Sequence, residues 1–209
     1  MHVVIVDLGV GNLRSVEHAV RAVASDAHIE ISSQPAVVDR ADKVMLPGQG
    51  AIGTWLHQLD DRALLPSLNK ARSEKPLLGI CVGMQALFET CEEDGGHAGL
   101  GWYPGSVRHF SSLHQDALKI PQMGWNTVAQ QGDHALWQGI EDNAYFYFVH
   151  SYYAQTPDQN VVAGTANYGG NFVAAVASGN VFATQFHPEK SHQDGLTLLR
   201  NFIHWDGAD

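Results

Sequence analysis

The hydrophobic positions change period along the chain. Val3-Val4-Ile5-Val6 is a short unbroken apolar run, the pattern of a strand buried on both faces. Leu13, Val16, Val20 and Val23 then recur at helical spacing. His28 to Ser32 reads as a second strand, and Lys43-Val44-Met45-Leu46 as a third that ends at Pro47-Gly48. A helical region is expected from Leu56 to Ala71. Leu77-Leu78-Gly79-Ile80 reads as a fourth strand with Cys81 directly after it, and Met84, Leu87 and Phe88 continue with helical spacing. This alternation predicts an α/β fold: a three-layer, mainly parallel open sheet flanked by helices.

The second half is strand-rich. Val107, Asn126 to Val128, Tyr145 to Val149, Val161 to Ala166, Phe172 to Ala177 and Val181 to Phe186 read as strands between turn signals. Gly169-Gly170-Asn171 and Ser178-Gly179-Asn180 predict hairpins, hence additional antiparallel strands. From Gly195 to Trp205, Leu196, Leu199, Phe202 and Ile203 share one helical face, expected to pack on the sheet. There is no internal repeat and no linker-like stretch, so residues 1–209 are expected to form a single domain.

Composition narrows the function. At 44% hydrophobic, the 209 residues can build a real core. Twelve basic against 22 acidic side chains give a charge of -10 with no basic block, which disfavours nucleic acid as a partner. The apolar runs are too short to cross a membrane. The N-terminus lacks the cationic start and long apolar stretch of a secretory leader, so a cytoplasmic protein is expected. A helix from 82 to 91 would hold the two cysteines, Cys81 and Cys91, about 15 Å apart, beyond disulfide reach. The 12 histidines are scattered, without His-Glu-x-x-His or Cys-x-x-Cys, so no metal is expected. Gly9-Val10-Gly11-Asn12 follows the first strand, but Arg14 occupies the third glycine position of a dinucleotide loop. No Walker-type loop occurs, and no cofactor is expected.

Three stretches carry candidate chemistry. In Gly79-Ile80-Cys81-Val82-Gly83-Met84-Gln85, a nucleophile sits between a buried strand and a helix, flanked by the small residues that a sharp turn needs. Unpaired N–H groups and the positive dipole end at the helix start would stabilise a thiolate, and the Val82 N–H would face an oxyanion. In Gln185-Phe186-His187-Pro188-Glu189-Lys190-Ser191, an extended backbone would put His187 and Glu189 side by side, the carboxylate fixing the imidazole tautomer. In Leu46-Pro47-Gly48-Gln49-Gly50-Ala51, the glycines would let a second N–H approach the same oxyanion. Taken singly, these stretches also read as a structural cysteine, a surface loop and an ordinary turn. Cys81 and His187 both fall at strand C-terminal ends, where open α/β sheets place their sites.

Together, in order and spacing, Pro47-Gly48-x-Gly50, Gly79-Ile80-Cys81-x-Gly83-x-Gln85 and His187-Pro188-Glu189 resemble the triad (class I) glutamine amidotransferases over essentially the whole chain. The resemblance implies that Cys81 attacks the side-chain amide of L-glutamine, His187 relays protons, and Glu189 orients His187. It gives Gly50 and Val82 as oxyanion donors. Gln85, Glu93, Ser151 and Tyr152 would hold the amino acid end of the substrate. Gly9-x-Gly11-Asn12-Leu13, Pro121-Gln122-Met123-Gly124-Trp125-Asn126 and Tyr147-Phe148-Val149-His150-Ser151-Tyr152 resemble the branch of that family that works as a heterodimer with a cyclase subunit. In that branch Asn12, Trp125, Tyr147 and Lys190 would face the partner. Otherwise Trp125 reads as a core aromatic and Lys190 as a solvated charge. Gln49 departs from the valine usual in that branch. A glutaminase for another synthase, or a non-catalytic subunit of the same fold, stays open at this level.

Overall fold

The computed structural model of the chain describes residues 1–113 and 118–207. The first half alternates strands and helices: β1 (His2–Val6), α1 (Leu13–Val23), β2 (His28–Ser32), α2 (Pro35–Arg40), β3 (Lys43–Gly48), α3 (Ile52–Asp61), α4 (Leu65–Glu74), β4 (Leu77–Cys81) and α5 (Val82–Gln85). The second half contributes β5 (Phe88–Cys91), β6 (His97–Ala98), β7 (Tyr103–His109), β8 (Gln122–Gln130), β9 (Ala144–His150), β10 (Tyr152–Gln155), β11 (Val162–Asn167), β12 (Asn171–Ser178), β13 (Val181–Thr184) and α6 (His192–His204).

A parallel block runs β2-β1-β3-β4-β13. The strand faces explain why. Val3–Val6 and every residue of β3 and β4 are buried, as strands covered on both sides must be. Helices pack against one another in pairs, α1 on α6, α2 on α4 and α3 on α5. Both expected hairpins are present: β11 and β12 pair antiparallel, as do β12 and β13. The hairpin at Ser178-Gly179-Asn180 turns the chain so that β13 re-enters the sheet parallel to β4. Beyond β12 the sheet continues through β10, β7, β5 and β6, and β11 leads to the β8–β9 ribbon.

Three local expectations need correction. The helix expected from Leu56 to Ala71 is two helices, α3 and α4, broken where Ala63 takes φ +50°. The helical spacing of Met84, Leu87 and Phe88 is misleading. The helix stops at Gln85 and Phe88 begins strand β5, because the chain must drop back into the sheet beside β7. The spacing argument against a disulfide therefore loses its premise, although both thiols are free. Helix α2 and strands β6 and β10 were not foreseen, being short or weakly patterned.

His150, at the end of β9, is buried among Phe110, Phe148 and Phe172. Its Nδ1 lies 2.7 Å from the Tyr152 carbonyl oxygen, which can only accept, so Nδ1 carries the proton. Nε2 meets the side-chain amide of Gln122 at 3.1 Å. A neutral ring needs a donor there, so the Gln122 NH₂ is the end that faces it. Burial pushes the His150 pKa down to about 4; the Tyr152 carbonyl opposes the shift, and the nearby charge of His187 adds to it.

Two predictions follow from this packing. A Cβ on Gly83 would sit 1.8 Å from the Leu46 carbonyl oxygen, so Gly83→Ala forces α5 off β3. We expect a cost of about 3 kcal/mol or more, read as a melting-temperature loss of roughly 6–12 °C. The unfolded chain protonates His150 below about pH 6.5 while the fold keeps it neutral to about pH 4, so stability falls as pH drops through that window. His150 alone accounts for about 3 kcal/mol of that loss. Urea midpoints of His150→Gln should therefore decline less steeply over that window than those of the parent chain.

Candidate active site

Parallel pairing of β4 with β13 sets the site. The register Leu77↔Val181 to Ile80↔Thr184 brings the two strand ends level, so the residues that follow each strand share one edge. Cys81 leaves β4 at φ +57°, ψ -110°, a conformation that costs a non-glycine residue on the order of 1–3 kcal/mol. That turn ends the strand and starts α5 at Val82.

His187 is held by its backbone. Its N–H donates to the Tyr147 carbonyl at 2.9 Å. Ser191 Oγ donates to the His187 carbonyl at 2.7 Å and accepts the Tyr147 N–H at 3.0 Å. Residues 188–190 form one 3-10 turn, not the extended run expected from the sequence. The tight turn still brings Glu189 round: His187 Nδ1 lies 2.8 Å from Glu189 Oε1, and both side chains are about 1% exposed. The other ring nitrogen, Nε2, is buried and makes no in-line hydrogen bond. The Cys81 sulfur is nonetheless close enough to act on it. Burial alone would lower the His187 pKa, but the charge and hydrogen bonding of Cys81, joined by Glu189, outweigh it and hold the imidazole well above its ordinary range. The three groups thus stand in the order sulfur, imidazole, carboxylate.

They open on a cavity of about 420 Å³. Gln49, Gly50, Val82, Gln85, Glu93, Ser151, Tyr152 and Lys190 also line it. Every expected oxyanion and substrate residue is therefore at this cavity. Gly50 has φ +85°, and nothing lies within 4 Å of where a Cβ would stand. Glu93 lines the wall while accepting the Ile52 N–H at 2.7 Å, which ties it to the start of α3. Gln85 is turned inward. Its two amide hydrogens serve the Tyr152 carbonyl at 2.9 Å and the Gln185 Oε1 at 3.0 Å, leaving only Oε1 for a ligand.

The expected partner-facing residues separate. Trp125 is 45% exposed rather than a core aromatic. It stacks on His192 at 4.9 Å and meets Tyr147 edge-on at 6.0 Å, and Lys190 Nζ lies 5.9 Å from the Tyr147 ring centre. These three expected residues thus form one exposed-to-half-buried group beside the cavity. Asn12 joins the site by another route, through Gln49: its side chain caps α1, and its N–H donates to Gln49 Oε1 at 3.3 Å.

Three polar residues escaped the sequence reading. Ser191 anchors His187 and Tyr147, His150 supports Tyr152, and Gln185 directs its amide nitrogen at the Cys81 sulfur at 3.7 Å. Only Gln185 carried a signal, its place two residues before His187. The second cysteine is not part of the site. Burial pushes the Cys91 thiol up to about 11, with nearby Glu93, Glu92 and Asp94 adding to the shift. Among the described residues, His2, His28 and Glu30 have ligand atoms within 4.8 Å of one another, but they sit at the opposite ends of the parallel strands.

Known proteins carry the same plan. A subunit HisH of imidazole glycerol phosphate synthase from Thiobacillus denitrificans is 49% identical over 212 residues, covering 99% of this chain and 92% of that protein. The subunit of the same name from Aromatoleum aromaticum is 49% identical over 208 residues, covering 97% and 98%. Among solved structures, a glutamine amidotransferase superposes with TM-score 0.72 at 18% identity, covering 96% and 97%. One from Thermotoga maritima gives 0.68 at 15%, covering 98% and 96%. At those identities the structures speak for the fold alone. Residues 4–205 match the Glutamine amidotransferase class-I family, and the chain belongs to it.

Proposed function

We propose that the chain is the glutaminase subunit of an imidazole glycerol phosphate synthase, acting in histidine biosynthesis. The observation that carries the chemistry is His187, buried with Nδ1 on Glu189 and its other side toward Cys81. The likeness to the HisH subunits carries the choice of client.

The reaction runs in two halves. His187 Nε2 holds the proton given up by Cys81, and the thiolate attacks the side-chain amide carbon of glutamine. The tetrahedral oxyanion is met by the backbone N–H groups at Gly50 and Val82; losing one such donor typically costs about 10²–10³ in rate. The C–N bond then breaks as His187 returns the proton to the departing nitrogen, giving ammonia and a glutamyl thioester. In the second half His187 takes a proton from water, the hydroxide adds to the thioester, and the thiolate leaves glutamate behind. Glu189 fixes the tautomer with Nδ1–H and steadies the imidazolium in both halves. Glu93 would pair with the substrate ammonium, and backbone at Ser151 and Tyr152 would take its carboxylate.

Ammonia released into water at neutral pH becomes ammonium, which cannot attack carbon. The synthase reaction therefore needs a cyclase subunit over the cavity mouth, forming a heterodimer. Trp125, Tyr147 and Lys190 lie beside that mouth. The exposed side chains of Met123 and Tyr145 extend the same ribbon.

Cys81→Ser should lower glutamine hydrolysis by about 10⁴-fold or more, and Glu189→Gln by on the order of 10³-fold, with folding retained. Glutamate release, with mass spectrometry of Cys81 after a glutamine-analogue electrophile, checks both. Substantial turnover in Cys81→Ser would remove the sulfur from its role. Adding a cyclase subunit with its ligand should speed hydrolysis at least about tenfold over the chain alone. Equal rates would argue for a glutaminase that works uncoupled from any client.

A further inference from the structure

The hydrogen bonds behind the sulfur run in one direction, fixed at a distance from it. The Tyr152 carbonyl oxygen can only accept, and Gln85 approaches it at 2.9 Å, so the NH₂ end of Gln85 must face it. The same NH₂ group reaches Gln185 at 3.0 Å, so Gln185 turns its carbonyl oxygen toward Gln85. The Gln185 NH₂ is left facing the Cys81 sulfur at 3.7 Å. Reversing either amide would set acceptor against acceptor or donor against donor in a buried site, at the cost of an unmade hydrogen bond. Gln185 is fully buried at the end of β13, and Gln85 nearly so. The orientation is therefore built into the fold.

We propose that Gln185 is a further catalytic residue of glutamine hydrolysis, its side-chain amide donating to the Cys81 sulfur, and that Gln85 is the positioning residue that keeps that donor turned inward. This rests on the reading of Cys81 as the nucleophile. A donor aimed at sulfur favours the thiolate over both the thiol and the thioester. It therefore raises the fraction of attacking thiolate before the first half-reaction. It also makes the sulfur a better leaving group in the second half, when water has added and the C–S bond breaks. Gln185 gains and loses no proton. The thiol proton still goes to His187.

The test is the rate of Cys81 alkylation by iodoacetamide against pH, in the full chain, with the labelled residue identified by mass spectrometry. Cys91 is buried, with its thiol pushed up to about 11, so its labelling separates from that of Cys81. In Gln185→Met, nearly the same shape without a donor, the midpoint for Cys81 should move up by about one pH unit. At the parent chain's midpoint the rate then falls about fivefold while the alkaline plateau is kept. Gln85→Met should move it in the same direction by less, because Gln185 can then turn over. That second variant leaves the Tyr152 carbonyl paired with His150, so it tests the idea even if Gln185→Met fails to fold. A folded variant of Gln185 with an unmoved midpoint overturns the proposal, as does an unmoved Gln85→Met where Gln185→Met does not fold. Either result, beside an inactive Cys81→Ser, leaves the nucleophile in place, whereas an active Cys81→Ser removes the reading beneath it.

Discussion

Everything at the site depends on β13 lying parallel to β4. Cys81 and His187 are more than a hundred residues apart, and no local preference could bring them together. The pairing does it through backbone hydrogen bonds from Leu77↔Val181 to Ile80↔Thr184. Closing so long a loop costs entropy, but the cost grows only with the logarithm of length. What makes the pairing specific is the hairpin before it: β12 and β13 are joined by a tight turn, so β13 arrives already reversed and in register. A slip of one residue would turn Phe182 and Thr184 to the other face of the sheet. His187 would then leave the edge where Cys81 stands.

The site itself runs against the usual rules of a stable core. A non-glycine residue holds φ +57°, a histidine is kept cationic in a buried position, and one uncharged amide, that of Gln185, faces a sulfur. Each would be costly alone. They persist because neighbours over-determine them: Gly83 lets α5 close onto the Leu46 carbonyl, Ser191 ties the His187 carbonyl to the Tyr147 N–H, and Glu189 balances the imidazolium. Buried charge is tolerated here because it is paired and hydrogen-bonded on one side while the other side is left for a reacting group.

Much of this was legible in the sequence, for identifiable reasons. Unbroken apolar runs such as Val3–Val6 could only be strands covered on both faces, and the glycine-bearing turns at 169–171 and 178–180 marked real hairpins. The turn at Cys81 was legible because few residues fit beside so sharp a bend. The failures came where tertiary contacts overrode local period. Met84, Leu87 and Phe88 keep helical spacing, yet the chain leaves the helix at Gln85 to pair with β7. His187 and Glu189 meet through a 3-10 turn rather than an extended strand, because Pro188 is equally at home at the first position of a helical turn. Ser191 and His150 could not be found by period or spacing at all, and Gln185 only through its place two residues before His187. Their importance lies in which atom faces which, and that exists only after folding.

Gln49 shows how one side chain can matter through backbone rather than chemistry. Its peptide lies between Gly48 and Gly50, and its side-chain oxygen takes the Asn12 N–H across from the α1 cap. A valine there could accept no such bond. The loop that presents the Gly50 peptide to the cavity is therefore moored to α1 at one end. At the other, the Glu93 carboxylate holds the Ile52 N–H where α3 begins. Glu93 also lines the cavity. A ligand cation that engages this carboxylate would compete with, or reinforce, the same bond that holds the start of α3. The carboxylate that would recognise the substrate is thus hydrogen-bonded to the segment that follows the loop at Gly50.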